Sequence, residues 1–240
     1  MLLTQLSRFE EAARMLAEAR VLFASLGDKR GTLMSILNLG MTAYYLERYD
    51  EAHAAATQAL ALARELKNRA LEGIALNNLG AVEREFGNFP YAIACMEAGM
   101  SLDADRPVDA ITDWSDLALA HHYAGDAPSA ERCTHEALER LAAAPHPPPF
   151  PESILWNAAI VLRECDPEKS RAVLQDAAEL LERASGELTP TIRVAYRNLR
   201  FNREIVAALH EDRWPVAPPA GRLPDASELD LVNGGVRRQR

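Results

Sequence analysis

Five stretches of the chain align at nearly one spacing, and that spacing limits the fold more than any other feature. "LSRFEEAARMLAEARVLF" (6–23), "LERYDEAHAAATQALALA" (46–63) and "FGNFPYAIACMEAGMSLD" (86–103) bring Phe9, Tyr49 and Phe89 into register, with Ala12, Ala52 and Ala92 behind them. Two weaker copies, "AGDAPSAERCTHEALERL" (124–141) and "CDPEKSRAVLQDAAELLE" (165–182), place Ala130 and Ser170 at the alanine position. The key positions 12, 52, 92, 130 and 170 are therefore 40, 40, 38 and 40 residues apart. A period of this length marks a unit too small to bury its own apolar face, so that stacked neighbours share one core.

Each period holds two amphipathic segments. First-type helices are expected near 30–47, 69–86, 108–124 and 152–164. Second-type helices are expected near 9–25, 50–66, 90–102, 127–143 and 167–184, and one further long helix near 190–211. Asp166-Pro167-Glu168 reads as a helix N-cap, a first-position proline and an acidic first turn. Thr189-Pro190 reads the same way, and Pro90 and Pro128 fall in first turns, where a missing N–H does no harm. The chain is 48% hydrophobic and only 6% aromatic, and β-branched runs bounded by turn signals are almost absent. The reading is all-α, with short links that force antiparallel neighbours.

"NLGMTAYYLERYDEA" (38–52) and "NLGAVEREFGNFPYA" (78–92) carry Gly40 and Gly80 inside first-type helices. A helical glycine costs about 1 kcal/mol against alanine. A cost met twice at one spacing indicates close packing, in which Gly40 and Gly80 face Ala52 and Ala92 and the two backbones approach. Ala118 and Ala158 take the glycine's place in later copies, and Ala19, Ala59 and Ala137 supply a second small residue seven positions on. Leu39, Leu79 and Leu117 are placed to fill the groove beside them.

Paired helices with Leu-Gly on the first, an aromatic ahead of the second and two alanines seven apart resemble the tetratricopeptide repeat. The 40-residue length is similar to the repeats of kinesin light chains and large bacterial signal-transduction regulators. The resemblance covers about residues 1–211, although the family's early tryptophan is missing from the best copies. It implies a right-handed α-solenoid of antiparallel helix pairs, about four and a half repeats plus a C-terminal helix. A HEAT-like array is the alternative solenoid. In such arrays the first helices line a concave groove that takes peptides or protein segments.

The groove residues follow by register. Asn77 and Arg84 are seven apart and share a helix face. Their counterparts are Ser115, His122 and Tyr123, then Arg163, with Asn202 and Arg203 on the last helix. In the earlier repeat Leu37, Met41, Tyr44 and Tyr45 make that end apolar. Asparagine pairs with a peptide backbone and arginine with a carboxylate. The competing account is that these are ordinary wet positions on polar helix faces. The expected function is a protein- or peptide-binding scaffold. The alternative is the sensor or assembly arm of a larger bacterial transcriptional or signalling regulator.

The opening "LSR" (6–8) matches the end of a first-type helix, so the chain reads as starting inside a repeat. That points to a fragment, or to a partner or second copy covering the edge of helix 9–25. "APHPPPFPES" (144–153) contains a proline-rich spacer, 145–151, in extended polyproline geometry; an SH3-type ligand is its sharper alternative. After residue 211 the periodicity stops, and 212–240 is expected to be a disordered tail. Trp214 is placed against the last helix, and "ASELDLV" is an alternative short docking segment.

Several functions are argued against. The net charge is −9, and the only basic run is Arg237, Arg238 and Arg240, which disfavours direct nucleic-acid binding. No apolar run approaches the roughly 20 residues of a membrane span, and the N-terminus does not read as a signal peptide. Three sparse cysteines, Cys95, Cys133 and Cys165, suit a reducing compartment, so a cytoplasmic protein is the default. His121, His122, Cys133 and His135 invite a zinc reading, but Cys133 aligns with Cys95 and Ala55 as a small buried position. Asp113 with Asp116, and Glu83 with Glu85, read as solvated faces. No H-E-x-x-H and no glycine-rich phosphate loop occur, so neither an enzyme nor a metal or cofactor site is expected.

Overall fold

The structure, a computed structural model, describes residues 9–102 and 109–221. Among these residues there are eleven helices and no strand. They are α1 (Phe9–Ser25), α2 (Lys29–Tyr45), α3 (Tyr49–Glu65), α4 (Arg69–Glu85), α5 (Phe89–Leu102) and α6 (Asp109–Tyr123). Then come α7 (Ala127–Ala143), α8 (Pro151–Cys165), α9 (Pro167–Gly186), α10 (Pro190–Arg197) and α11 (Arg200–Glu211). The all-α reading holds, and consecutive helices pack as antiparallel pairs. The readings of "LSR" at 6–8, of "ASELDLV" and of the basic run at 237–240 lie outside the described residues.

The described chain divides into two compact units. One contains residues 9–102 with 218–221, and the other residues 109–217. In the first, α1 packs on α2, α2 on α3, α3 on α4, α4 on α5, and α2 also on α4. In the second, α6 packs on α7 and α8, α7 on α8, α9 on α8, and both α10 and α11 on α9.

Five of the links between helices share one construction. Gly27, Glu47, Lys67, Gly87 and Gly125 all adopt positive φ, between 53° and 81°. The residue after each sends its N–H back to the carbonyl five positions earlier: Asp28 to Phe23, Arg48 to Ala43, Asn68 to Ala63, Asn88 to Glu83, Asp126 to His121. This is the left-handed helix stop that ties off otherwise unpaired carbonyls. The same residue then precedes the next helix. Asp28, Asn68 and Asp126 turn their side chains to accept from the N–H groups of Gly31, Leu71 and Ser129. The first four stops are 20 residues apart, half the sequence period, because each helix and its link take the same length. Two of the five lack glycine, which hides this half-period from the sequence. Asp166 caps α9 as expected, accepting from Lys169 N at 3.0 Å. Thr189 makes no side-chain cap; Pro190 alone opens α10.

In the first unit Leu33, Ile36, Leu60, Leu76, Leu79, Tyr91 and Cys95 form one buried cluster. The small residues lie where two helices come closest. A Cβ on Gly40 would sit 3.1 Å from Ala55 Cβ and 3.6 Å from the Ala52 carbonyl oxygen. One on Gly80 would sit 2.8 Å from the Ala92 carbonyl oxygen. Ala52 and Ala92, and in the second unit Ala118 and Ala130, are all buried. At the next key position Ser170 is buried too, its hydroxyl donating to the Ala159 carbonyl at 2.7 Å.

The helix expected over 190–211 is instead broken. Leu199 takes an extended conformation (ψ 141°) between α10 and α11. No proline or glycine marks this point. The carbonyls freed there are taken by side chains of α11: Asn202 Nδ2 donates to Tyr196 O and Arg203 Nη1 to Asn198 O. Burial of Leu199, Tyr196 and Ile205 holds the bend.

Candidate functional site: the solvent faces of the first-type helices

The residues expected to line a groove do not share one environment. Arg84 is 2% exposed; its guanidinium donates to Tyr44 Oη at 2.8 Å and to Glu85 Oε1 at 3.1 Å. Tyr44 Oη also donates to Glu85 Oε1. Glu85, read as solvated, is thus part of a buried network, as is Glu83, which lies 2.9 Å from His53 Nε2 and accepts from Asn88 Nδ2 at 2.6 Å. Ser115 is buried and accepts from Asn157 Nδ2 at 3.1 Å. Asn202 is fully buried at the α10–α11 break. These groups hold helices together and are not presented to a ligand.

Asn77 is half-buried, and its amide fills the space that a side chain on Gly99 of α5 would need: a Cβ there would fall 2.0 Å from Asn77 Oδ1. It therefore points into its own helix pair. His122 and Tyr123 are half-buried at the end of α6 with their rings 5.6 Å apart; burial lowers the basicity of the His122 imidazole. Arg163 and Arg203 are exposed, the first lying over Trp214 and the second bonded to Asn198 O.

The face that does reach solvent is turned by about 100°, one residue along the helix. On α2 it carries Met34, Asn38, Met41 and Tyr45, the first three exposed. On α4, which packs beside α2, the same register carries Ile74, Asn78 and Ala81, all half-buried. The asparagines of the two "NLG" motifs, Asn38 and Asn78, thus occupy equivalent surface positions. The repeated motif itself held the signal: its asparagine recurs at the 40-residue period, whereas Asn77 aligns with Leu37.

The zinc candidates lie apart in character. His121 is buried beside Asp126, Cys133 is buried on α7 and His135 is exposed. Among the described residues no three His, Cys, Asp or Glu side chains come together as a metal site. The buried thiol of Cys95 is pushed up to about 12, chiefly by desolvation, which removes it from thiolate chemistry. No helix among the described residues is long and apolar enough to cross a membrane.

The repeat geometry has a counterpart in known sequences. The family model of the tetratricopeptide repeat matches residues 1–65. Over those residues the chain is similar to tetratricopeptide repeats. No curated protein matches it in sequence. Among solved structures, the chain is similar to BtubC (BKLC) from P. vanneervenii, with a TM-score of 0.55 and 17% identity over 94% of this chain and 99% of that one. The likeness is one of fold.

Proposed function

We propose that the chain is a peptide- or protein-binding repeat scaffold whose recognition face is the solvent side of the first-type helices. The observation that carries this reading is the recurrence of an asparagine at one register, exposed at Asn38 on α2 and half-buried at Asn78 on α4, flanked by Met34, Met41 and Ile74. Side-chain amides spaced along adjacent helices pair with the backbone of an extended segment, and pliable methionines accommodate its side chains. Of the residues first assigned to this role, Tyr123 and Arg163 belong to the same register in the second unit; Arg84, Ser115 and Asn202 are interior.

The test is panning of a random-peptide phage library against the full chain, followed by affinity measurement on an Asn38→Ala, Asn78→Ala double variant. Loss of two hydrogen bonds of about 1 kcal/mol each predicts an affinity fall of roughly 30-fold with unchanged circular dichroism. Absence of enriched peptides, or enriched peptides indifferent to the double variant, would remove the reading.

A second reading concerns self-association. No residue of α1 is buried, and Met15, Val21, Leu22 and Leu26 are exposed on or just beyond it. We infer that a second copy covers this edge. Light scattering across concentration should then show a dimer that Val21→Asp with Leu22→Asp converts to monomer; a wild-type chain monomeric at every concentration would reject it.

A further inference from the structure

Trp214 stacks on α8. Its indole stacks on that of Trp156 with centroids 5.4 Å apart and planes 18° from parallel, and the Arg163 guanidinium lies 4.8 Å over its ring. Trp156 and Arg163 are seven residues apart and share one face of α8. Trp156 is itself fixed by its indole N–H, which donates to Glu204 Oε2 of α11 at 2.9 Å. With Trp214 in place it is only 2% exposed.

The register of this face decides what it is. Counting through Gly40, Gly80, Ala118 and Ala158, position 156 corresponds to Asn38, Asn78 and Asp116, and position 163 to Tyr45, Glu85 and Tyr123. Position 156 therefore matches Asn38, which is exposed on α2, and Asn78, which is half-buried on α4, whereas the counterparts of Arg163 are covered, Tyr45 by Phe9 and Glu85 by the Arg84–Tyr44 network. The chain reaches this face of α8 through a sharp reversal directly after α11. Asp212 takes a left-handed conformation, φ 49°, and its carboxylate accepts from the Trp214 indole N–H at 2.8 Å.

We propose that Trp156 and Arg163 form an aromatic-recognition site on α8, that its ligand class is an extended peptide bearing a tryptophan, and that residues 212–216 are an internal occupant displaced by such a ligand. The inference rests on the scaffold reading above. Stacking on one indole and a cation over the ligand ring select an aromatic side chain over an aliphatic one. The tether makes the internal copy a strong competitor. An effective concentration on the order of a millimolar, against a roughly 0.1 mM intrinsic affinity for so short a segment, lowers apparent affinity for an added peptide about tenfold.

The probe is a fluorescein-labelled peptide of residues 210–221, HEDRWPVAPPAG, titrated into full-length chains by fluorescence anisotropy. Two variants open the site. Trp214→Ala removes the ring, and Asp212→Pro forbids the positive φ of the turn and removes the Asp212 carboxylate and its N–H bond to Ala207 O, while Trp156 and Arg163 keep their side chains. The peptide should bind each opened variant about tenfold more tightly than wild type. Binding should vanish for the peptide with alanine in place of its tryptophan, and fall roughly 3- to 30-fold when Arg163→Ala is added to Asp212→Pro. Equal binding to wild type and Asp212→Pro, or none to Asp212→Pro at native helical content, overturns the proposal. Failure here would leave the scaffold reading intact, because that is measured through Asn38 and Asn78.

Discussion

Gly40 and Gly80 occupy the same register on α2 and α4, yet the same substitution should act on them in opposite directions. Replacing a helical glycine by alanine contributes about 1 kcal/mol of stability from reduced unfolded-state freedom and better helix propensity. At Gly40 the added methyl meets Ala55 Cβ at 3.1 Å and nothing else closer than 3.6 Å, so a movement of a few tenths of an ångström suffices. At Gly80 it meets Met96 Cγ at 2.7 Å, the Ala92 carbonyl oxygen at 2.8 Å and Cys95 Cβ at 3.3 Å. Met96 can turn aside; the carbonyl belongs to α5 and must retreat about 0.6 Å to reach the ordinary 3.4 Å contact. Overpacking of that kind costs about 1–3 kcal/mol. The balance makes Gly40→Ala neutral to about 1 kcal/mol stabilising, and Gly80→Ala up to about 2 kcal/mol destabilising. Both sites lie in the same compact unit, so urea unfolding followed by circular dichroism reads the same transition for each. If Gly80→Ala unfolds at the same urea concentration as Gly40→Ala, or a higher one, close backbone approach is not what the glycine provides.

Three further outcomes follow from other parts of the fold. Lys67→Gly relieves a left-handed residue at a helix stop, and should raise thermal stability by up to about 1 kcal/mol; a lower melting temperature would show that Lys67 does more than turn the chain. Arg84→Ala deletes a guanidinium 2% exposed and its bonds to Tyr44 and Glu85 and should cost about 3 kcal/mol in chemical unfolding, whereas Arg163→Ala at the surface should stay within about 0.5 kcal/mol; equal effects would contradict the assigned burial. Glu152 is buried, its carboxyl raised above 4.5 chiefly by desolvation, and bonded to Tyr196 Oη at 2.5 Å. A raised acid stabilises the fold fully below its unfolded value and loses that contribution as pH climbs through the folded one. Stability of the second unit should therefore decline with pH from 4.5 upward, and Glu152→Gln should flatten the decline; an unchanged slope would place the titration elsewhere.

Much of the architecture was legible before any coordinates. The 40-residue recurrence, the small residues opposing one another and the caps at Asp166 and Pro167 are local or periodic signals, and local chemistry acts the same way wherever the chain lies. The helix bounds 9–25, 127–143 and the start of α9 came out at the expected residues for that reason. The candidate site was legible only in outline. A seven-residue spacing says that Asn77 and Arg84 share a face, but not whether that face meets water or a neighbour, and a one-residue rotation separates the two cases. Arg84 is interior because Tyr44, forty residues earlier at the same register, meets it across the α2–α4 contact.

What the sequence determined by itself is thus the repeating unit: two helices, a tight stop after each, and a seam narrow enough for glycine and alanine. Tertiary structure alone decided which polar groups are mortar and which are surface, where the last helix breaks, and that Trp214 returns to α8. Those outcomes depend on partners brought together from distant points of the chain, and desolvation, which weighs a polar group only by what surrounds it, has no expression in the order of residues.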